Sequence, residues 1–208
     1  MQTSFITSFA DLVEARDGFT GTHIKNTSHY VETLCHALQK EPSYANVLTD
    51  DYIELIVEAA PLHDIGKISI PDAILQKPGK LTEEEFEIIK THSTLGEQIL
   101  QDIMKETGEN EKLLTACKMA KFHHERWDGK GYPTGLSGRD IPLCARIMAL
   151  ADVYDALRSK RCYKDAMSKE KAISIIKEGA GIIMICPVCP IFSPSSVLIE
   201  NVDSTCIL

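Results

Sequence analysis

The sequence predicts an all-α protein: one compact multi-helix domain over residues 1–180, followed by an irregular tail over residues 181–208. Apolar residues recur at helical spacing in most of the chain, as at Phe5, Phe9, Leu12 and Val13 on one face of the first helix. Almost no alternating pattern typical of β-strands appears before residue 178. From Gly179 onward the chain is apolar, broken by prolines and almost free of charge, which predicts an end to the domain.

Capping residues and breaks define the elements along the chain. The predicted helices cover about residues 4–17, 20–40, 50–62, 82–106, 110–125, 143–159 and 168–177, with a short helical turn at 70–75. Thr49 or Asp50 is expected to cap the third helix, and Pro61 to kink it near its end. Thr82 and Glu85 have the spacing of a capping box. A glycine-rich loop is predicted at residues 126–142, and a connector at residues 160–167.

Composition limits the classes of function. The chain has 208 residues, of which 44% are hydrophobic and 25% charged, and its formal net charge is -8. This acidic balance argues against binding nucleic acid or anionic membranes, and an anionic substrate would need local cations or metal. The start of the sequence lacks the pattern of a signal peptide, so none is expected, and no apolar run has the length expected of a membrane span. The irregularly spaced cysteines suit reduced thiols and a cytoplasmic location.

Residues 63–67 (His-Asp-Ile-Gly-Lys) follow the apolar run that forms the third predicted helix. A buried imidazole beside a buried carboxylate is costly unless both are paired or bind metal. His63 and Asp64 can therefore ligate one metal ion, or one ion each of a neighbouring pair. Gly66 is expected to let the backbone turn sharply, and Lys67 to supply a positive charge beside the site.

Further histidines lie in apolar helical patterns elsewhere in the chain. Asp152 likewise lies in an apolar helical pattern. The candidate ligands are therefore His23, His92, His123, His124 and Asp152. A single histidine of this kind is more often a satisfied core residue than a ligand, and His29 and His36 are interpreted as ordinary surface or boundary residues. The whole set instead predicts a site of nitrogen and oxygen ligands, which suits divalent iron or manganese, or zinc.

The motifs occur in a specific order along the chain. His63 and Asp64, with downstream histidines and a later aspartate, resemble the HD metal-dependent phosphohydrolase superfamily. The loop at residues 127–133 (Trp-Asp-Gly-Lys-Gly-Tyr-Pro) resembles the HD-GYP subgroup. The resemblance extends over roughly residues 5–180. It implies an HD-type helical domain, cyclic-di-GMP phosphodiesterase activity and a cluster of two or three metals, usually iron or manganese.

The resemblance also assigns roles to individual residues. It implies a metal ligand set of His23, His63, Asp64, His92, His123, His124 and Asp152. Asp64 would be the bridging ligand, and Lys67 would face the scissile phosphate. The residues implied to bind substrate are Lys67, Tyr132, Arg161 and Lys164. The loop around Tyr132 would lie beside the pocket and could also contact a diguanylate cyclase domain.

Three departures from the family pattern modify these expectations. Phe19 occupies the position of a glutamate that helps some relatives hold a third metal, so two ions are expected rather than three. Pro61 replaces an aliphatic residue before the His-Asp pair. The segment after Gly179 lacks the His-Phe-Asp-Pro-like sequence of relatives, so their last packing helix is expected to be absent.

The resemblance therefore implies hydrolysis of cyclic-di-GMP to pGpG, with GMP as the product of a second cleavage. One alternative is hydrolysis of another cyclic dinucleotide, such as cyclic GMP-AMP. Another is a catalytically impaired domain that binds the nucleotide or docks a partner. The sequence leaves the oligomeric state open.

Overall fold

A computed structural model describes residues 2–16, 22–159 and 166–179 of the chain. The helices are α1 (Gln2–Arg16), α2 (His23–Gln39), α3 (Asp50–Ala59), α4 (Asp72–Leu75), α5 (Glu83–Lys90), α6 (His92–Thr107), α7 (Glu111–Phe122), α8 (Leu143–Arg158) and α9 (Lys169–Glu178). Within the described ranges there is no strand, which confirms the all-α prediction. The predictions for Phe19, for most of the connector at 160–167 and for the tail at 181–208 concern residues outside these ranges.

The hydrophobic core lies between five of the helices. Helix α2 packs against α3 and α8, and α7 packs against α3, α6 and α8. The largest fully buried side chains include one or more from each of these helices: Leu38, Ile56, Leu100, Met119, Ile147 and Met148. Burying one such side chain stabilises the fold by about 1.5–3 kcal/mol. This core fixes the ends of α2, α6, α7 and α8 relative to one another.

Side-chain caps begin several helices where the sequence predicts them. Thr49 accepts a hydrogen bond from the backbone N–H of Tyr52 at the start of α3. Thr82 and Glu85 form the predicted capping box at the start of α5. Asn110 caps α7 by accepting from the N–H of Leu113 at 2.9 Å. These bonds satisfy N–H groups that have no partner inside the helix.

The third helix, predicted to reach residue 62 with a kink at Pro61, ends three residues earlier. Helix α3 ends at Ala59, and a 3-10 turn over Ala60–Leu62 follows with Pro61 near its start. Proline has no N–H to continue the α-helical hydrogen-bond pattern, and its ring crowds the preceding turn. The chain then passes through His63 into a second 3-10 segment, Ile65–Ser69.

The predicted single helix over residues 82–106 is also wrong, because it breaks at Thr91 between α5 and α6. At the break, three consecutive side chains donate to the backbone carbonyl three residues earlier. These bonds are Thr91 to Ile88 (2.6 Å), His92 to Ile89 (2.7 Å) and Ser93 to Lys90 (2.9 Å). These side chains thus compete with backbone N–H groups for the carbonyls at the end of α5. The break places His92 at the first position of α6.

Helix α1 is held against the second 3-10 segment by Arg16. Its guanidinium donates to the carbonyl of Ile68 at 2.8 Å and to the carboxylate of Asp72 at 2.6 Å. In return, the amide of Gln76 donates to the carbonyl of Arg16 at 2.8 Å. These contacts fix α1 beside the turn that carries the His-Asp pair.

Among the described residues, no helix combines the length and the apolar character needed to cross a membrane. Cys35, Cys117 and Cys144 are buried free thiols.

Candidate metal centre

The structure brings the seven predicted metal ligands together in two adjacent groups. One group is Asp64, His92, His123 and His124, and the other is His23, His63 and Asp152. Within each group, the potential ligand atoms all lie within 4.8 Å of one another. They come from α2, the turn after α3, the start of α6, the end of α7 and α8, so residues far apart in sequence converge.

Asp64 lies between the two groups. Its Oδ1 is 3.2 Å from Nε2 of His92 and 3.5 Å from Nε2 of His123. Its Oδ2 is 3.3 Å from Nε2 of His63, which belongs to the other group. One carboxylate oxygen thus faces each group, which is the arrangement that a bridging ligand needs.

Backbone carbonyls determine which nitrogen of three histidines faces the site. In each ring Nδ1 lies against the carbonyl of the residue three positions earlier. The pairs are His63 with Ala60 (2.8 Å), His92 with Ile89 (2.7 Å) and His123 with Ala120 (3.0 Å). Since a carbonyl only accepts, Nδ1 carries the proton and the neutral ring presents the lone pair of Nε2 to the centre.

Several buried acceptor atoms at the centre lack hydrogen-bond donors, and this observation shows whether a cation fits the site. The Nε2 atoms of His92 and His123 are 3.4 Å apart, and neither carries a proton to share. Nε2 of His63 and Oδ1 of Asp64 are buried with no hydrogen bond within the described part of the chain. Such groups are costly unless something electropositive lies between them. The mixed nitrogen and oxygen donors fit a divalent transition metal.

Metal ligation requires an ionised carboxylate and neutral imidazoles, and the pKa shifts of Asp64, His123 and His124, though not that of His63, favour these forms. Burial opposes the charge on Asp64, but Lys67 and His63 outweigh it and hold the pKa of Asp64 well below its usual value. Burial lowers the pKa of His123, and burial with repulsion from neighbouring histidines lowers that of His124 further. Burial would also lower the pKa of His63, yet the net shift is upward because Asp64 stabilises its protonated form.

Asp155 is a candidate positioning residue that sequence reasoning missed. Its Oδ2 accepts from Nδ1 of His23 at 2.7 Å, and its carboxylate also accepts from Asn26 and Ser159. This contact turns Nε2 of His23 toward Asp152, whose Oδ1 is 3.7 Å away. A signal was present, because Asp155 follows Asp152 at helical i+3 spacing in an apolar helix and so shares its face.

Gly66 has a different role from the predicted sharp turn. A Cβ atom at this position would collide with the carbonyl oxygen of His92 and lie 2.5 Å from the backbone nitrogen of Gly96. The residue is therefore required because the turn after Asp64 packs directly on the backbone of α6. The next residue, Lys67, places its Nζ 2.7 Å from Oδ2 of Asp64, beside the ligand cluster.

A cleft of about 460 Å³ opens beside the first ligand group. Its lining includes His124, Asp152 and three cationic residues, which are Lys90, Arg126 and Lys130. Tyr132 also lines it and stacks on His124 with ring centroids 4.7 Å apart. Burial raises the pKa of Tyr132, so its hydroxyl stays protonated. Arg161 and Lys164, the other residues predicted to bind substrate, lie outside the described residues.

The loop that carries Tyr132 is fixed to the end of α7 by Glu125, another residue whose role sequence reasoning missed. One oxygen of the buried Glu125 accepts from the N–H and hydroxyl of Thr134, each at 2.7 Å, and from the N–H of Gly135 at 3.1 Å. Tyr132 itself donates its N–H to the carbonyl of His124 at 3.2 Å. These hydrogen bonds therefore hold the loop against the residues that follow α7, which include the candidate ligand His124.

Known proteins are similar to this chain in sequence and in fold. A family model described as HD domain matches residues 7–184. A cyclic di-GMP phosphodiesterase of Vibrio cholerae serotype O1 is 51% identical over 176 residues, which cover 85% of this chain and 36% of that protein. The 3'3'-cGAMP-specific phosphodiesterase 2 of the same organism is 42% identical over 164 residues, covering 79% of this chain and 29% of that protein.

The chain spans less than half the length of these relatives. A crystal structure of a cyclic GMP-AMP specific phosphodiesterase of V. cholerae matches with a TM-score of 0.51 and 17% identity, covering 95% of this chain and 47% of that one. At this identity the structural likeness shows a common fold alone.

Proposed function

The chain belongs to the HD domain family, and we propose that it is a metal-dependent phosphodiesterase that hydrolyses cyclic di-GMP to linear pGpG. The observation that carries this proposal is the convergence of seven nitrogen and oxygen donors in two groups that meet at Asp64. The names of the Vibrio cholerae relatives support the substrate class.

We propose that the two groups hold two divalent ions, iron or manganese. His23, His63 and Asp152 would hold one ion, and His92, His123 and His124 the other, with Asp64 shared between them. When bound, such a pair acidifies a water molecule and offsets charge on a phosphoryl group. With Phe19 in the position of a glutamate ligand of some relatives, a third ion is not part of the proposal.

Residues of the chain would bind and orient the substrate. The acidic molecule, with a net charge of -8, needs local cations to attract a cyclic dinucleotide. The cleft provides Lys90, Arg126 and Lys130 near the ligand groups, and Lys67 places its Nζ 2.7 Å from Oδ2 of Asp64. Tyr132 offers a neutral hydroxyl as a hydrogen-bond donor beside His124. We propose that Lys67 and Tyr132, together with Arg161 and Lys164, contact the phosphates and the remaining polar groups of the substrate.

A second candidate substrate is 3'3'-cGAMP, favoured by the relative that is 42% identical and named for that activity. It has the same phosphodiester linkages, so the metal centre would act on it in the same way. Discrimination between guanine and adenine would then depend on the walls of the cleft.

Two further parts of the proposal concern a protein partner and the cellular location. The surface beside Tyr132 would contact a diguanylate cyclase domain through its exposed neighbours Lys130 and Thr134. A cytoplasmic location is consistent with the free thiols of Cys35 and Cys144.

Product analysis tests the proposed function. The manganese-loaded chain is incubated with cyclic di-GMP, 3'3'-cGAMP and cyclic di-AMP in parallel, and the products are separated by chromatography. We expect cyclic di-GMP to be converted fastest, with pGpG appearing before any GMP. Faster conversion of 3'3'-cGAMP would support the second candidate. Binding without conversion of any dinucleotide would instead show a nucleotide-binding domain.

A further inference from the structure

Glu14 is a buried acidic residue that the proposed mechanism does not use. It lies on α1 and is only 7% exposed. Neither carboxylate oxygen has a hydrogen bond of ordinary geometry among the described residues, although the backbone N–H of Ile24 lies close enough to lower the pKa of Glu14. One weak backbone donor does not offset the burial of a charged carboxylate, which destabilises the fold unless a cation compensates its charge.

The carboxylate lies beside the metal centre. Glu14 lines a small cavity together with His23, His63, Asp64 and Lys67. The cavity measures about 20 Å³, and a space of this size is enough for one water molecule. Burial raises the pKa of Glu14 while His23 and His63 oppose that rise, so the carboxylate is within electrostatic reach of both candidate ligands.

The fold holds Glu14 in this position. Helix α1 packs on both 3-10 segments, Ala60–Leu62 and Ile65–Ser69, which flank the His-Asp pair. Arg16, two residues beyond Glu14, anchors the end of α1 through Ile68 and Asp72. The position of the carboxylate beside the centre is thus maintained by contacts that do not involve the carboxylate itself.

We propose that Glu14 is an additional acidic residue of the metal centre, which strengthens the binding of a divalent cation by the group of His23, His63 and Asp152. Glu14 belongs to neither of the donor groups whose atoms lie within 4.8 Å of one another. It therefore acts across the cavity, through its charge and one intervening water-sized space, rather than by direct ligation. The inference rests on the proposed metal centre and adds a determinant of cation affinity on α1.

Manganese titration of the metal-free full chain tests this role. In Glu14→Gln, which keeps the shape and removes the charge, one Mn²⁺ should bind about tenfold more weakly or worse, with the other unchanged. The matched control, Glu54→Gln, alters an exposed glutamate of α3 and should bind both ions like the wild type. The Tm of metal-free Glu14→Gln should equal or exceed that of the wild type, because an uncompensated buried charge has been removed.

Several results would overturn the proposal. The first is that Glu14→Gln binds Mn²⁺ at both sites with the affinity of the wild type. The second is that this variant loses its fold in the absence of metal, because the charge would then stabilise the fold by itself. Glu14→Asp keeps the charge and should bind Mn²⁺ more tightly than Glu14→Gln, so equal losses would show a packing role. If the wild type binds no Mn²⁺, the proposed function fails as well; if it binds two and hydrolyses substrate while Glu14→Gln is unaffected, only this inference fails.

Discussion

At the scale of single residues, the centre depends on which nitrogen of each imidazole carries the proton. Backbone carbonyls take the Nδ1–H of His63, His92 and His123, and a carboxylate takes that of His23. All four rings therefore direct Nε2 toward Asp64 or Asp152. The residues that orient the rings are as necessary to the site as the rings themselves.

Asp155 provides a test of this orientation. In Asp155→Asn the side chain keeps its size but can present an N–H to His23, which favours the opposite tautomer and removes the lone pair from Nε2. We expect the affinity for one of the two ions to fall about tenfold to a hundredfold. Calorimetric titration of the metal-free chain measures this change.

The control for that experiment is Asp102→Asn, an exposed aspartate of α6 paired with Lys105. It should leave both metal affinities unchanged. If Asp155→Asn behaves like Asp102→Asn, the orientation of His23 does not depend on the carboxylate.

At the scale of helices and turns, the site forms where regular helices end. Pro61 ends α3 just before His63, and the break at Thr91 puts His92 at the beginning of α6. Gly66 then allows the turn and α6 to pack backbone against backbone. The helix breaks allow His63 and His92 to converge on the centre, whereas continuous helices would direct these side chains away from it.

Substitution of Gly66 tests this close packing. In Gly66→Ala the added methyl group collides with the backbone of α6, which cannot move without disturbing His92. We expect the free energy of unfolding to fall by about 3 kcal/mol, together with loss of metal binding. Urea denaturation measures the first effect. Ser69→Ala, at an exposed position of the same turn, should have little effect, and equal stability of both variants would refute the packing argument.

The loop of Tyr132 is predicted to depend on Glu125. Glu125→Ala removes the acceptor of three hydrogen bonds from Thr134 and Gly135. We expect stability to fall by about 1–3 kcal/mol, and KM to rise several-fold because Tyr132 is no longer held on His124. Metal content should stay at the wild-type value. Thr134→Ala, which removes one donor only, should show a smaller rise in KM, and an unchanged KM in Glu125→Ala would contradict this role.

The sequence predicted helices, caps and the residues that converge, but not how they converge. Thr82 and Asn110 cap helices through contacts within one turn, which sequence alone specifies. The break at Thr91 was missed because helical periodicity continues through it, and only the backbone bonds of the side chains around His92 interrupt the helix. Asp155 and Glu14 were missed because their roles depend on partners more than a hundred residues away or on another helix.

At the scale of the whole molecule, the negative net charge and the carboxylates of the candidate metal centre act in the same direction on an anionic substrate. The net charge of -8 would repel an anionic substrate, and the negative charge of Asp64, Asp152 and Glu14 would make the centre itself repulsive without cations. Bound divalent ions would remove this repulsion, stabilise the fold by mass action and create the attraction for phosphate. Stability, substrate binding and hydrolysis are therefore expected to depend together on metal.

Metal content paired with hydrolysis tests this central claim most directly. The chain is purified without oxygen, and metals per chain and cyclic di-GMP turnover are measured for the wild type, Asp64→Asn and the control His36→Ala, an exposed histidine of α2. We predict two divalent ions per chain in the wild type and the control, and loss of both metal and turnover in Asp64→Asn. Turnover by the metal-free wild type, or by Asp64→Asn, would contradict the account.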